Sequence, residues 1–517
     1  MRPVALLLAL GLGCGSRTGL EARDGGPGPV ACVADPDCDD GRYCTGVERC
    51  LEGVCRPGAP VTCEGPAEAC MASRCDEDTR ACRTARVSLD RDGDGHFARS
   101  SGNPTCGDDC DDDDPAVHPG AVETCNGRDD DCDGSIDEGS RLTPTDTLTR
   151  VSDAETLPGG PGGLAWTGAA YTASWWAYQG GKARVFVAPF DRAGRRAGAA
   201  EPVHGGPADA FGAAVVWTGQ ELGAVWQDRR DPDGGYEVYF NRFSPGGERL
   251  GPDLRVSETR GHSIHPSLVW TGEGFVVVWQ EAIDPRDPSR YILAVRRIDA
   301  TGRPATVSLV LASIPRSAEG PSVAAGPDGA FGVAWTDTRD GGRAVYFESY
   351  SLGDALRSRS PLRRVSSPGH SAVYPHLVWN ASRWVLAWYD DAPDSPDHEV
   401  WGAALGASGQ SLVPARRLTT DPGFSRYPVW LPRGDRLLLV WGDDRAGAQY
   451  ALWAQEFSPT LDPLGAAMQV TPTAPMAASV SPSLSFGPGG DVGVLFRDQR
   501  DGRIATWFTR LQCTMPP

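Results

Sequence analysis

The chain has 517 residues, 15 cysteines and a formal net charge of -19. That length calls for more than one domain, and an acidic balance with a pI of about 4.9 argues against nucleic acid and anionic membrane surfaces as partners. The acid is concentrated between Asp90 and Glu138 and most cysteines lie between Cys32 and Cys132, so those segments need a chemical reason of their own.

At the start, Arg2 precedes the apolar run Val4–Leu12, which is too short to span a bilayer and reads as the core of an export signal. Gly11-Leu12-Gly13-Cys14 resembles a bacterial lipobox, with Gly11 where leucine is usual. The resemblance implies a lipoprotein signal peptide over residues 1–13, lipidation of Cys14, and a place at the outer membrane or cell surface with the lipid as the membrane attachment. Residues 14–31 are rich in Gly, Pro and charge and are expected to form a flexible tether.

Residues 32–82 carry nine cysteines, Cys32, Cys38, Cys44, Cys50, Cys55, Cys63, Cys70, Cys75 and Cys82, with few large apolar residues between them. Such a stretch cannot bury a core, so disulfides are expected to hold it. Zinc is the rival, but it favours close Cys-x2-Cys pairs, and this stretch has none. The segment, with Asp37-Cys38-Asp39-Asp40-Gly41, resembles the cysteine-repeat modules of secreted myxobacterial-type proteins. Nine is odd, so one cysteine must bond outside the module, and Cys513 is the expected partner.

Residues 83–140 form an acidic module. Asp90, Asp92 and Asp94 alternate, Gly95 stands sixth, His96 seventh and Phe97 eighth, which is the first part of an EF-hand-like calcium loop. Asp129, Asp131 and Asp133 repeat the pattern, with Gly134 at the turn and Ile136 at the apolar place. The twelfth places hold Ser101 and Ser140 in place of glutamate. The closing ligand must therefore come from elsewhere: the run Asp108 to Asp114, with Asp109, Asp111, Asp112 and Asp113 as candidates, is the obvious donor for the first loop, and Asp137 or Glu138 for the second. The acids are phased with glycines and cysteines, unlike a solvated charge run, and so many carboxylates repel one another without cations. Hard oxygen donors favour calcium.

The run Asp109 to Pro115, then His118-Pro119-Gly120-Ala121-Val122-Glu123-Thr124-Cys125-Asn126-Gly127, then Asp129 to Glu138 resembles the metal-binding motif of MopE-type bacterial surface proteins. That family is named for a copper-associated member, which makes copper the alternative metal. Copper wants histidine or sulfur, and the module offers only His96 and His118. Cys106, Cys110, Cys125 and Cys132 are expected to form two local bridges.

From Leu148 the chain repeats. An aromatic of a second strand recurs at Trp175, Trp226, Trp279, Trp335, Trp388, Trp441 and Phe496, and a first-strand position at Trp166, Trp217, Trp270, Ala325, Trp379, Trp430 and Phe486. Seven units of four short strands predict an all-β chain: a seven-bladed β-propeller over 141–517, preceded by small disulfide-rich and calcium-loop modules with little regular structure. Leu148-Thr149-Arg150-Val151-Ser152 is a lone copy of the fourth strand and is expected to complete the last blade. Asp-x-Arg loops at Asp228, Asp337, Asp443 and Asp498 read as turn devices, and the tryptophans as blade core. His262, His265, His370 and His376 precede or open first strands, and loop hydrogen bonding is favoured over a shared metal.

No catalytic signature is present: there is no Gly-x-Ser-x-Gly, no His-Glu-x-x-His and no phosphate-cradling glycine loop. The expectation is a surface lipoprotein whose calcium-stabilised stalk presents a propeller for a protein or glycan. The alternatives are a polysaccharide-acting enzyme and a copper-associated metal-acquisition protein.

Overall fold

The computed structural model describes residues 31–515 apart from 64–70, 87–89, 100–106, 127, 153–156, 199, 205–207, 232–233, 260, 285–286, 313–316, 354, 392–396, 446 and 448. Cys14, Cys70, Cys106, Ser101 and the expected signal peptide lie outside the described residues. The chain divides into two compact units between His118 and Pro119, so residues 119–140 fold with the repeats. Among the described residues no helix is long and apolar enough to cross a membrane.

In the first unit two short hairpins, Arg49–Leu51 with Val54–Arg56 and Met71–Asp76 with Ala81–Arg86, carry the regular structure. No described residue of 31–63 or 73–84 is buried. Four disulfides take the place of a core: Cys32–Cys50, Cys38–Cys55, Cys44–Cys75 and Cys63–Cys82. They close loops of 17 to 31 residues, and each removes chain entropy from the unfolded state worth about 3 kcal/mol.

The second unit is a seven-bladed propeller. Blades 1 to 6 span residues 157–202, 210–255, 263–312, 318–364, 371–417 and 425–469, each an antiparallel sheet in chain order. Blade 7 has Val480–Phe486, Val492–Asp498 and Ala505–Thr514, and its outer side comes from the N-terminal side of the unit. Thr149–Arg150 pairs with Trp507 and Phe508 as the lone fourth-strand copy requires, and Arg141–Pro144 adds a further length by pairing with Leu511 to Thr514. Second strands such as Leu222–Asp228 and Ala330–Asp337 are buried along their whole length, because each is covered by a blade on either side. Seven apolar clusters result, one per blade interface; the cluster holding Leu495 and Phe508 with Leu164 and Trp175 joins blade 7 to blade 1.

All seven second-strand aromatics are buried. In blade 6, register assigns the first-strand position to Pro432, paired with Leu437, and not to Trp430. Trp430 lies two residues earlier and is buried edge-on against Phe457, so it serves the blade interface instead of ending the strand.

The Asp-x-Arg loops are internal latches. Asp337 accepts hydrogen bonds from the Trp335 indole at 2.9 Å, the Arg339 backbone at 2.7 Å and the Arg339 guanidinium at 2.6 Å. Arg339 in turn lies over the Tyr346 ring at 4.7 Å. Asp228 and Asp443 repeat the arrangement, and Asp498 does so with Ser479 in place of an indole. Replacing Asp337 by Ala leaves a buried indole N–H and a guanidinium unpaired, and is expected to cost about 3 kcal/mol, read as a lower urea midpoint.

Blade 3 departs from the pattern, with Glu281 bonded to the Trp279 indole at 2.6 Å. Ser263 bridges Glu281 and the neighbouring Glu237. Burial pushes the Glu237 carboxyl up to about 7 against the pull of Ser257 and Arg255. A carboxyl raised above its unfolded value of 4.5 holds its proton better in the folded state. Its favourable contribution is complete below pH 4.5 and is lost as pH rises through about 7. The stability of Glu237→Gln relative to wild type should therefore rise between pH 5 and 8; parallel pH profiles would contradict this.

Candidate metal centres

The first loop curls because each carboxylate caps backbone N–H groups just ahead of it. Asp90 accepts from Gly93 at 2.7 Å and Gly95 at 3.2 Å, Asp92 from Asp94 at 3.3 Å, and Asp94 from His96 at 2.7 Å. Gly95 has a φ of 99°, open to glycine at no steric cost. Backbone bonds from Asp109 to Phe97 at 3.1 Å and from Arg99 to Asp109 at 3.0 Å bring the acidic run alongside.

Carboxylate oxygens of Asp90, Asp92 and Asp94 lie within 4.8 Å of one another, and so do those of Asp92, Asp109 and Asp112. Asp109 is only 1 % exposed. One oxygen each of Asp92, Asp94 and Asp109 is buried without a hydrogen-bond partner. Burial raises the Asp109 carboxyl, and the like charges of Asp94, Asp92 and Asp112 raise it further. Orphaned, mutually repelling oxygens at one point are the surroundings that a hard cation satisfies.

Of the other expected ligands, Asp113 points away, in an exposed pair with Arg91 at 2.6 Å. The Asp111 N–H caps Asp109 at 2.9 Å. The His96 ring stacks on His118 at 4.9 Å and lies 3.4 Å from Asp108. Cys110 and Cys132 are both oxidised.

The second loop repeats the ladder. Asp129 accepts from Gly134 at 3.0 Å, Asp131 from Asp133 at 3.1 Å, and Asp133 from Ser135 at 2.7 Å. Glu138 is the candidate closing ligand: its Oε2 is buried without a partner, as is the Ser140 hydroxyl at the twelfth place. Burial and the charges of Glu123, Asp131 and Asp133 raise the Glu138 carboxyl. Asp137 is otherwise engaged, accepting from the Asn126 backbone at 3.0 Å and facing Arg433 at 3.5 Å. The alternative left open between Asp137 and Glu138 thus goes to Glu138.

Three scaffold residues were not anticipated. Glu123 accepts from the backbone of Asp130 at 2.7 Å, Asp131 at 2.9 Å and Asp137 at 2.9 Å, and so wraps the loop around itself. Asp130 ties down Thr124 and Asn126. Arg433, from blade 6, is 3 % exposed and also pairs with Glu456. The Glu123-Thr124-Cys125-Asn126 string was the available signal for Glu123; nothing local marks Arg433.

Cys125 bonds Cys513, which corrects two expectations. Cys513 does not complete the cysteine module, and Cys125 is not in a local bridge. The reason is that residues 119–140 pack on blades 6 and 7, where Ile136 lies against Gly434 so closely that a Cβ there would meet it at 2.6 Å. The four candidate histidines have separate partners. His262 accepts from the Tyr236 backbone, His265 contacts Gln280, and His370 contacts Asp390. His376 accepts from the Trp430 backbone, and burial pushes it down to about 4.

Residues 109–138 match the Cu-binding MopE family, described as "Putative metal-binding motif". The match runs through Asp109 and Asp112 of the first centre and the whole of the second. No curated protein matches the chain. Among solved structures, the propeller domain of the Trilobed protease from Pyrococcus furiosus is similar with a TM-score of 0.43 at 9 % identity, over 69 % of this chain and 94 % of that one. Trypanosoma rangeli sialidase gives 0.38 at 10 %, over 72 % and 59 %. An α-L-arabinofuranosidase from Lactobacillus brevis gives 0.32 at 12 %, over 48 % and 90 %.

The disulfide Cys125–Cys513 links positions 388 residues apart. Removing it in a Cys125→Ser, Cys513→Ser double variant is expected to cost roughly 2–5 kcal/mol, read as a lower Tm. An unchanged Tm would mean that strand pairing alone holds the joint.

Proposed function

We propose that the chain is an exported, lipid-anchored bacterial surface protein whose two aspartate loops bind calcium and whose propeller binds a protein or glycan. The observation that carries the calcium reading is the set of buried, unpartnered carboxylate oxygens on Asp92, Asp94, Asp109 and Glu138. Asp90, Asp92, Asp94, Asp109 and Asp112 would hold one ion; Asp129, Asp131, Asp133 and Glu138 would hold the other. The ion supplies charge neutralisation and cross-linking, and the protein's own N–H ladders hold the ligands in place beforehand. Copper is disfavoured by the chemistry of the donors: hard oxygens predominate, and Cys110, Cys125 and Cys132 are all disulfide-bonded.

The test is calorimetric titration of the chelator-stripped, oxidised full chain with calcium, with magnesium and copper as controls. Saturable calcium binding is expected. Asp92→Asn with Asp109→Asn should remove one class of site and Glu138→Gln should weaken the other, each at least tenfold. Calcium at 100 times its Kd should add about 2.7 kcal/mol to stability. Copper binding in preference to calcium would overturn the assignment and favour the metal-acquisition reading.

A further inference from the structure

The first strands of blades 2 to 7 each break register with a bulge, between Phe211 and Ala214, Ile264 and Ser267, Glu319 and Ser322, Val373 and His376, Arg426 and Val429, and Val480 and Ser483. Each bulge holds one residue in the left-handed region. Blades 2 and 4 use Gly212 at 61° and Gly320 at 57°. Blades 3, 5 and 6 use His265 at 50°, Tyr374 at 53° and Tyr427 at 54°, and blade 7 uses Ser481 at 53°. Glycine adopts this conformation freely, whereas other residues pay about 1 kcal/mol or more. The fold itself accepts glycine here, so the ring side chains are held at a cost that folding does not require.

Gly320 lies between two of them in the blade order. A Cβ at Gly320 would meet nothing within 4 Å, and a cavity of about 290 Å³ opens there between His265 and Tyr374. Tyr374 is 57 % exposed and is braced from behind by Tyr389, stacked at 5.5 Å and 11°. Tyr291 adds a third aromatic to the lining. The polar groups are fixed in advance: Gln280 accepts from the Gly320 N–H at 3.0 Å and lies 2.6 Å from His265 Nδ1. Arg343 and Glu319, both partly exposed, oppose one another at 3.9 Å.

We propose that this cavity binds a neutral sugar unit of a polysaccharide, with Tyr374 against the apolar face of the ring and Gln280, Glu319 and Arg343 at its hydroxyls. A rigid aromatic wall with donors and acceptors along its rim matches a ring that is apolar on its faces and polar at its edge. The paired charges disfavour a ligand of a single sign, since a cation would meet Arg343 and an anion would meet Glu319. The volume suits one or two sugar units. The proposal rests on reading the propeller as a binding module.

The test is binding of the full chain to an array of neutral and charged oligosaccharides, followed by titration with the best neutral ligand. Tyr374→Gly relieves the backbone strain, so it should weaken binding at least tenfold with no fall in Tm. Gly320→Tyr fills the cavity with a residue that the neighbouring bulge already accommodates, and it should weaken binding as much, with a fall in Tm no larger than the left-handed backbone strain of about 1 kcal/mol brings. A neutral ligand whose affinity survives both variants would overturn the site while leaving the binding module standing. Binding of charged ligands only, or of no oligosaccharide at all, would overturn the proposal, and the calcium titration would be unaffected.

Discussion

Without residues 141–150, the strand Ala505–Thr514 would end blade 7 as an open edge, its backbone N–H and C=O groups facing water. Arg141–Pro144 and Thr149–Arg150 pair with it instead, and Leu142 enters the core between blades 6 and 7. Every blade draws its apolar cover from two neighbours, so all seven interfaces depend on that joint. The second acidic loop is fastened to the same place through Cys125–Cys513 and through Asp137 with Arg433. The loop and the ring closure therefore share the same few residues.

The acidic residues fall into two physical classes. In the Asp-x-Arg loops of the blades the carboxylate is saturated: an indole or a serine hydroxyl, a backbone N–H and the arginine two places on consume its oxygens, as at Asp443 with Trp441 and Arg445. In the loops no arginine follows at that spacing. Glycine follows instead, and Asp92, Asp94 and Asp109 each accept a backbone N–H at one oxygen and keep the other buried without a partner. The same residue type is saturated in the Asp-x-Arg loops and keeps an open oxygen in the acidic loops.

Much of this was legible. Aromatic spacing named the blades because a residue buried between two sheets must be large and apolar in every repeat, and the stray fourth-strand copy named the closure. It failed at Trp430, where a tryptophan serves the blade interface from two residues away. Asp90, Asp92, Asp94 and Gly95 were legible because ligand alternation and the turn are local. Cys125–Cys513, Arg433–Asp137 and the choice of Glu138 over Asp137 were not, since each depends on residues brought together by the finished ring. The cavity beside Gly320 was invisible for the same reason: bulge positions acquire meaning only when successive blades stand side by side.

Long-range closure also sets an order of events. Thr514 bonds to the carbonyl of Arg141, 373 residues earlier, and contacts so remote in sequence form slowly. A chain emerging from its N-terminus exposes Cys125 well before Cys513 exists to receive it, directly downstream of a crowd of other thiols. Premature oxidation would trap Cys125 with the wrong partner. A wrong pairing of this kind is undone only by reversible thiol–disulfide exchange, which is slow beside strand pairing.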